Sequence, residues 1–478
     1  MPSPEPGQVV LGVDVGTSSL KAGLFTLDGT PLGLAQAQYP LSMAEEGAAE
    51  QDPEAWWAAL ATVSRELMAS LDDPARLAAI SIGGQAPTLV ATDAELRPTH
   101  AAITWLDQRP AAEADRLYGQ LGEPVPVWGS WPAQAAWFVR HRPVPMRHTR
   151  WLLGCPDYLA SRLTRTALGM LATPLSELAA AGLDQQLLPP TASTGELIGH
   201  VDPSAAAGSH LPIGTPVVAG FVDGVLGILG SGVRQPGDAC INCGTSGTFS
   251  AVWGPPLGYP VMGFNIVGSA TNTSGKALDW FVQQIAPAGA TYDDLLAQAA
   301  TAPPGSDGLL FLPHLAGERA PERDPRSRAA WVGLTLGHDR RHLLRAVLEG
   351  VAFSFRSLQD WLESLGVEVG EVRCVGGQAR SHVWNQIKAD VLNRPVLVPQ
   401  VVEAAVVGAA ILAALGIGAY PDLHHAMAAM VRVSRRLEPD ERNAALYARL
   451  FDSYRGLYPA LRETSWRLHD LPCDSGDR

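Results

Sequence analysis

Lysine is almost missing from this chain. Lys21, Lys276 and Lys388 are the only three among 478 residues, and arginine supplies the other basic side chains. With a formal net charge of −13, the composition argues against a nucleic-acid or anionic-membrane surface, which needs clustered Lys and Arg. Cysteine is scarce too. Cys155, Cys240, Cys243, Cys374 and Cys473 are scattered, which predicts free thiols in a reducing cytoplasm. Cys240 and Cys243 form a CxxC, but a zinc site needs a second pair nearby and none is present. In a predicted strand the pair reads as two small hydrophobes. The opening MPSPEPGQVV lacks the basic and apolar regions of a secretory signal. The long uncharged stretch that begins at Ala404 and runs toward His424 is mostly Ala and Gly and is broken by Pro421 and Asp422. It predicts a buried helix packed through small residues rather than a membrane span. The common nucleotide and hydrolase motifs are also missing. There is no GxxxxGK[ST], no GxGxxG after a strand, no HExxH and no GxSxG.

What is present describes an ordinary folded protein of 46% hydrophobic and 17% charged residues. A chain of this length exceeds one core, so two domains are expected, residues 1–234 and 235–478. Strand-like runs alternate with helical ones, which predicts an α/β fold. Residues 9–26 read as strand, tight turn, strand, with a third strand starting at Pro31. Asp52-Pro53 opens a helix, and Asp339 caps a long one whose apolar face carries Leu343, Leu344, Val347, Val351, Phe355 and Leu358.

The tripeptide Gly-Thr-Ser occurs twice, at Gly16-Thr17-Ser18 and at Gly244-Thr245-Ser246, each time after a strand-like run and about once per half. A β-β turn with Gly and two hydroxyls can wrap N–H and O–H donors around a phosphate. Two such turns suit the two ends of a triphosphate tail, in an enzyme of two like halves with ATP in a cleft between them. Phosphoryl transfer then needs a metal ion and a base for the acceptor hydroxyl. Asp14, just before the first turn, is a candidate Mg²⁺ holder; its alternative role is to cap the turn. Lys21 reaches a phosphate from the second strand, or else solvates the surface. Asp223 ends the apolar strand VVAGFVDG and is followed by a glycine that admits a substrate, so it is the candidate general base, with helix N-capping as the plain alternative. Trp105, Asp107 and Arg109 combine charge, hydrogen bonding and an aromatic face that suits a polyhydroxylated ligand, or form a structural ion pair.

These segments together resemble the FGGY carbohydrate kinases, and within them the xylulokinase-like branch, over nearly the whole chain. LGVDVGTSSLKAGLF is similar to the family's first phosphate motif, AITWLDQR to its sugar-site segment, and GFVDGVLGILGSGV to the segment with its catalytic aspartate. INCGTSGTFSAV resembles the second phosphate motif, and residues 308–356 the long C-terminal signature. VGGQARSHVWNQIKADVLNRPV resembles the adenosine segment. The resemblance implies two ribonuclease-H-like domains of the actin and sugar-kinase type, and ATP and Mg²⁺ as cofactors. It also implies transfer to a hydroxyl of a ketose or polyol. It places Asp223 as the base, Thr17, Ser18, Lys21, Gly244, Thr245 and Ser246 at the phosphates, and Gly376, Gly377 and Gln378 at the adenosine. Gln85, Trp105, Asp107 and Arg109 fall on the sugar side. It implies no nucleic acid or membrane partner, and it leaves room for a homodimer. The chain departs from the branch in places. Where xylulokinases usually carry Met-His after Ser-Gly-Gln, this chain has Gly83-Gly84-Gln85-Ala86-Pro87-Thr88. The usual Gly-Gly-Asp-Asn is Phe221-Val222-Asp223-Gly224, and a usual Lys is Gln134, three places before Trp137. The alternatives are a kinase for another polyol of the glycerol, erythritol or gluconate type, and a catalytically weak sensor that binds a sugar or nucleotide.

Overall fold

The computed structural model describes residues 7–122, 130–170, 175–254 and 259–471. In the first half, β1 (Val9–Val15), β2 (Ser19–Thr26) and β3 (Pro31–Gln38) form an antiparallel meander, as the turn spacing predicts. Helix α1 (Pro53–Ala69) starts with proline in its first turn, and its N-cap Asp52 accepts from the Glu54 N–H at 2.9 Å. Next come β4 (Leu77–Gly84), α2 (Cys155–Thr164), β5 (Leu197–His200), β6 (Pro216–Val222) and α3 (Asp223–Ser231). The sheet runs β3-β2-β1-β4-β6-β5, with β4 parallel to both β1 and β6, and β5 antiparallel to β6. β1 reads VVLGVDV and is buried at every position except Asp14, as a strand covered on both faces should be.

The second half repeats this order. β7 (Ala239–Cys243), β8 (Gly247–Trp253), β9 (Tyr259–Val261) and β10 (Phe264–Thr271) form the antiparallel pairs β7–β8, β8–β10 and β10–β9, and α4 (Gly275–Gln284) follows. The long α5 (Arg340–Ser364) is capped by Asp339, as expected. Then β11 (Val372–Val375), α6 (His382–Leu392) and β12 (Val396–Pro399) extend the sheet in parallel. The sheet order is β9-β10-β8-β7-β11-β12-β13, where β13 (Val433–Leu437) is an antiparallel edge. Both sheets thus carry a meander, two further parallel strands and an antiparallel edge. The two Gly-Thr-Ser turns occupy the same place in each, between the first and second strands. This is the two-domain architecture of the actin and sugar-kinase type.

The sequence suggests one contiguous cut near residue 234. The structure divides the chain into one unit running up to Gly230 together with Ala404–Arg432, and a second comprising Ser231–Glu403 and the residues from Val433. The returning segment holds α7 (Ala404–Gly416), whose Ala, Val and Leu side chains are nearly all buried. Glycine makes this packing possible. A Cβ on Gly12 of β1 would lie 2.0 Å from the Val406 carbonyl oxygen, and one on Gly408 would lie 2.1 Å from that of Leu226. Backbones this close exclude any side chain, so the uncharged Ala- and Gly-rich stretch is a helix seated on the first sheet. Among the described residues, no helix is long and apolar enough to cross a membrane.

Candidate active site

The chemistry in the first unit gathers where the parallel strands end. Asp14 lies across from Lys21 on β2 and from Gly83 on β4. Val222, the last residue of β6, pairs with Gly84, so Asp223 leaves the sheet at the same edge and opens α3. The carboxyl ends of parallel strands are where α/β folds hold ligands.

Burial pushes Asp14 up to about 7; the charge of Asp223 adds to the rise and Lys21 opposes it. Burial also raises Asp223 to about 6, against the Gly224 N–H, which donates to its Oδ1 at 2.7 Å. Two half-buried carboxylates that repel each other are costly unless something compensates them. Asp14 Oδ1 has no hydrogen-bond partner. An acceptor-only oxygen without a donor, beside a second carboxylate, fits a hard cation. Burial and the charges of Asp223, Asp157 and Asp14 hold the neighbouring Cys155 thiol protonated.

The first Gly-Thr-Ser turn is clamped by side chains far away in sequence. The Tyr39 hydroxyl donates to the Gly16 carbonyl at 2.6 Å, and Gln51 Nε2 donates to the Thr17 carbonyl at 2.7 Å. Trp105 Nε1 donates to Thr17 Oγ1 at 3.0 Å. Ser18 is exposed at the tip. Gln85 is buried; its Nε2 donates to Gln51 Oε1 at 2.7 Å while its own Oε1 has no partner. Gln85 is thus linked through Gln51 to the Thr17 carbonyl and keeps a buried acceptor without a partner.

Asp107 and Arg109 form an ion pair. Asp107 Oδ1 accepts from the Arg109 N–H and Nε at 3.0 Å each, and its Oδ2 accepts from the Ala49 N–H at 2.9 Å. Arg109 also reaches Glu50 at 2.5 Å and Glu45 at 3.3 Å, and its guanidinium sits 4.5 Å from the Trp137 ring centre. Gln134 has a role that the sequence reading missed. Its Nε2 donates to the carbonyls of Pro87 at 3.2 Å and Thr104 at 3.0 Å, tying the Gln85 loop to the Trp105 loop. The signal was its place three residues before Trp137. Gln51 and Tyr39 were missed as well, because an isolated Gln or Tyr carries no motif.

In the second unit, the Gly244-Thr245-Ser246 turn is held by the start of α4. The N–H groups of Ser274 and Lys276 donate to the Thr245 carbonyl at 3.1 and 3.2 Å, and that of Gly275 donates to the Gly244 carbonyl at 2.9 Å. Gly376 follows β11 with φ +82°, and a Cβ there would lie 2.6 Å from the Cys243 carbonyl oxygen, so only glycine fits. Gln378 Nε2 donates to Ser274 Oγ at 2.7 Å, leaving a buried Oε1 without a partner. The turn and Gly376-Gly377-Gln378 thus form one surface of this unit. Glu318, also missed, anchors the nearby loop by accepting from Thr271 Oγ1 at 2.7 Å and the Asn272 N–H at 3.0 Å.

Two family models match the chain: the N-terminal domain of the FGGY family of carbohydrate kinases over residues 9–177, and its C-terminal domain over 240–417. The chain belongs to the FGGY carbohydrate kinases. This kinase is 28% identical to the xylulose kinase of Bacillus subtilis (strain 168) over 501 residues, covering 96% of this chain and 98% of that one. It is 29% identical to the gluconokinase of the same organism, again covering 96% of this chain and 98% of the relative. Among solved structures it is similar to the xylulose kinase from Rhodospirillum rubrum, with a TM-score of 0.81, 30% identity, and coverage of 96% of this chain and 100% of that chain. The kinase is an ATP-dependent sugar phosphotransferase.

Proposed function

We propose that this kinase transfers the γ-phosphoryl group of Mg-ATP to a hydroxyl of a ketopentose, xylulose foremost, or of a polyol of similar size. The observation that carries the reading is the pair of half-buried carboxylates, Asp14 and Asp223, at the ends of β1 and β6. Their burial is costly for a structural role and useful for a catalytic one. Asp223 is the base. Its Oδ1 is engaged by the Gly224 N–H, which leaves Oδ2 to take the acceptor hydroxyl proton. Asp14 would hold Mg²⁺ through its unpartnered oxygen, and Lys21 offsets negative charge beside it. The ion supplies charge neutralisation for the phosphates.

In the first unit Thr17 and Ser18 are the phosphate-contacting residues; in the second unit, taken by itself, Gly244, Thr245 and Ser246 are. Gly376, Gly377 and Gln378 form the adenosine surface, with Gln378 Oε1 as a free acceptor. On the sugar side, Gln85 and Trp105 meet the acceptor. Asp107 and Arg109, already paired with each other and with Glu50, fix the shape of the loop that carries Trp105. The unusual Gln85-Ala86-Pro87-Thr88 run bears on which acceptor is preferred, and the gluconokinase relatives make gluconate the second candidate. The free-thiol pattern supports a cytoplasmic setting.

Coupled ADP release with Mg-ATP across ketoses, aldonates, polyols and glycerol tests this. A strong response to xylulose that needs Mg²⁺ is expected. A response confined to gluconate would move the acceptor. A flat panel beside clear ATP binding would favour the sensor reading.

A further inference from the structure

The rarest residue type in the chain supplies the most unusual buried group. Lys388 is fully buried on α6, and no carboxylate pairs with it among the described residues. Its Nζ lies 3.3 Å from Cys243 Sγ and 3.4 Å from Cys374 Sγ, and the two sulfurs are 3.5 Å apart. The Trp384 ring lies 5.0 Å from the same ammonium. The register explains the meeting. Ile241 on β7 pairs with Cys374 on β11, and Cys243 lies two residues beyond Ile241 on the same face. The CxxC in the sequence is therefore not the functional pair. Cys240 points to the other face of the strand, and the partner of Cys243 is on another strand.

We propose that Cys243, Cys374 and Lys388 form an oxidisable dithiol site, in which a peroxide converts the two cysteines into a disulfide that thiol reductants reverse. Burying an ammonium among apolar side chains is costly without an anion, so Lys388 favours a thiolate beside it. The shifts agree in direction. The Cys243 hydrogen bond and the Lys388 charge hold Cys374 low, near about 6. Burial pushes Cys243 up, and the two sulfurs raise Lys388 against the effect of its own burial.

The Cys374 thiolate attacks one peroxide oxygen and the O–O bond breaks, giving a sulfenic acid and hydroxide, which takes up the proton that the Cys374 thiol released on ionising and becomes water. Cys243 then attacks the sulfenic sulfur, and its proton leaves with the hydroxyl as water. Overall, two thiols and one hydrogen peroxide give one disulfide and two waters. The sulfurs must close from 3.5 Å to the roughly 2.05 Å of an S–S bond, which pulls the ends of β7 and β11 together. Gly244–Ser246 leaves β7 directly after Cys243, and Gly376–Gln378 follows Cys374 by two residues. Oxidation should therefore weaken ATP binding, a consequence that rests on the nucleotide reading above.

The test treats the full-length protein with hydrogen peroxide, blocks the remaining thiols with an alkylating reagent and maps the peptides. The expected product is a Cys243–Cys374 cross-link, lost on adding a thiol reductant. Cys155, Cys240 and Cys473 should remain alkylated. Lys388→Met should slow cross-linking several-fold. If that variant does not fold, Lys388→Arg or the pH dependence of the wild-type rate replaces it. Sulfinic or sulfonic acid on Cys374 without a cross-link, or a disulfide through another cysteine, would overturn the proposal. A several-fold rise in the KM for ATP should accompany the cross-link. A cross-link with unchanged KM would keep the dithiol site and count against the placement of nucleotide at these loops.

Discussion

The indole Nε1 of Trp105 donates to the Oγ1 of Thr17 at 3.0 Å, joining the Trp105 loop directly to the first Gly-Thr-Ser turn. One half-buried hydroxyl thus registers the two segments against each other, so on the proposed reading the acceptor and phosphate groups of the first unit are coupled.

Trp105→Phe keeps the ring and removes the donor. One neutral hydrogen bond is worth about 0.5–1.5 kcal/mol, so kcat/KM should fall roughly 2- to 12-fold for both the acceptor and ATP. Steady-state kinetics with each substrate varied in turn would check this. A loss confined to the acceptor would mean that the Thr17 link carries no load.

Asp223→Ala should retain nucleotide binding and lose turnover by roughly 10² to 10⁴, the usual worth of a positioned base. Isothermal titration with ATP beside coupled ADP release separates the two. Near-normal turnover would remove Asp223 from the mechanism.

Asp14 links catalysis to pH and stability. Its folded value, about 7, stands above the ordinary 3.8, so the unfolded chain loses this proton first as pH rises. Stability from this group is present below pH 3.8 and lost as pH climbs to about 7. Without metal or nucleotide, Asp14→Asn should therefore melt higher than the parent at pH 8 and at the same temperature near pH 3, while losing activity. In the parent, kcat/KM should rise through an acid limb near pH 6 as the pair ionises and Asp223 becomes a base. A variant that melts lower at pH 8 would refute the burial argument.

Gly12→Ala should be severely destabilising, by about 3 kcal/mol or more, because its Cβ would stand 2.0 Å from the Val406 carbonyl oxygen. Chemical denaturation measures this. Gly254→Ala, where nothing stands within 4 Å, is the control and should be near neutral.

Much of this was legible from residues alone, because the signals are local. A Gly-Thr-Ser turn between two apolar runs, the Asp52 and Asp339 caps and an Asp at a strand end are short-range patterns, and each appears where expected. So does the Ala- and Gly-rich helix near residue 404. What was not legible depends on residues distant in sequence. The second Gly-Thr-Ser turn pairs with Gln378 because β7 and β11 lie side by side. Gln134 ties two loops that share no motif with it.

Residue order alone carried the family resemblance: two Gly-Thr-Ser turns, a strand-end Asp on each side of a glycine-rich sheet edge, and an α/β core. Those choices rest on period, turn residues and charge, which act over a few residues. That Asp14 and Asp223 are neighbours with raised proton affinities, and that residues 404–432 belong with the first unit, came from the folded arrangement. It alone placed buried Lys388 between Cys243 and Cys374. Burial, Coulomb interaction and backbone approach act across space, and the order of residues along the chain does not contain those distances.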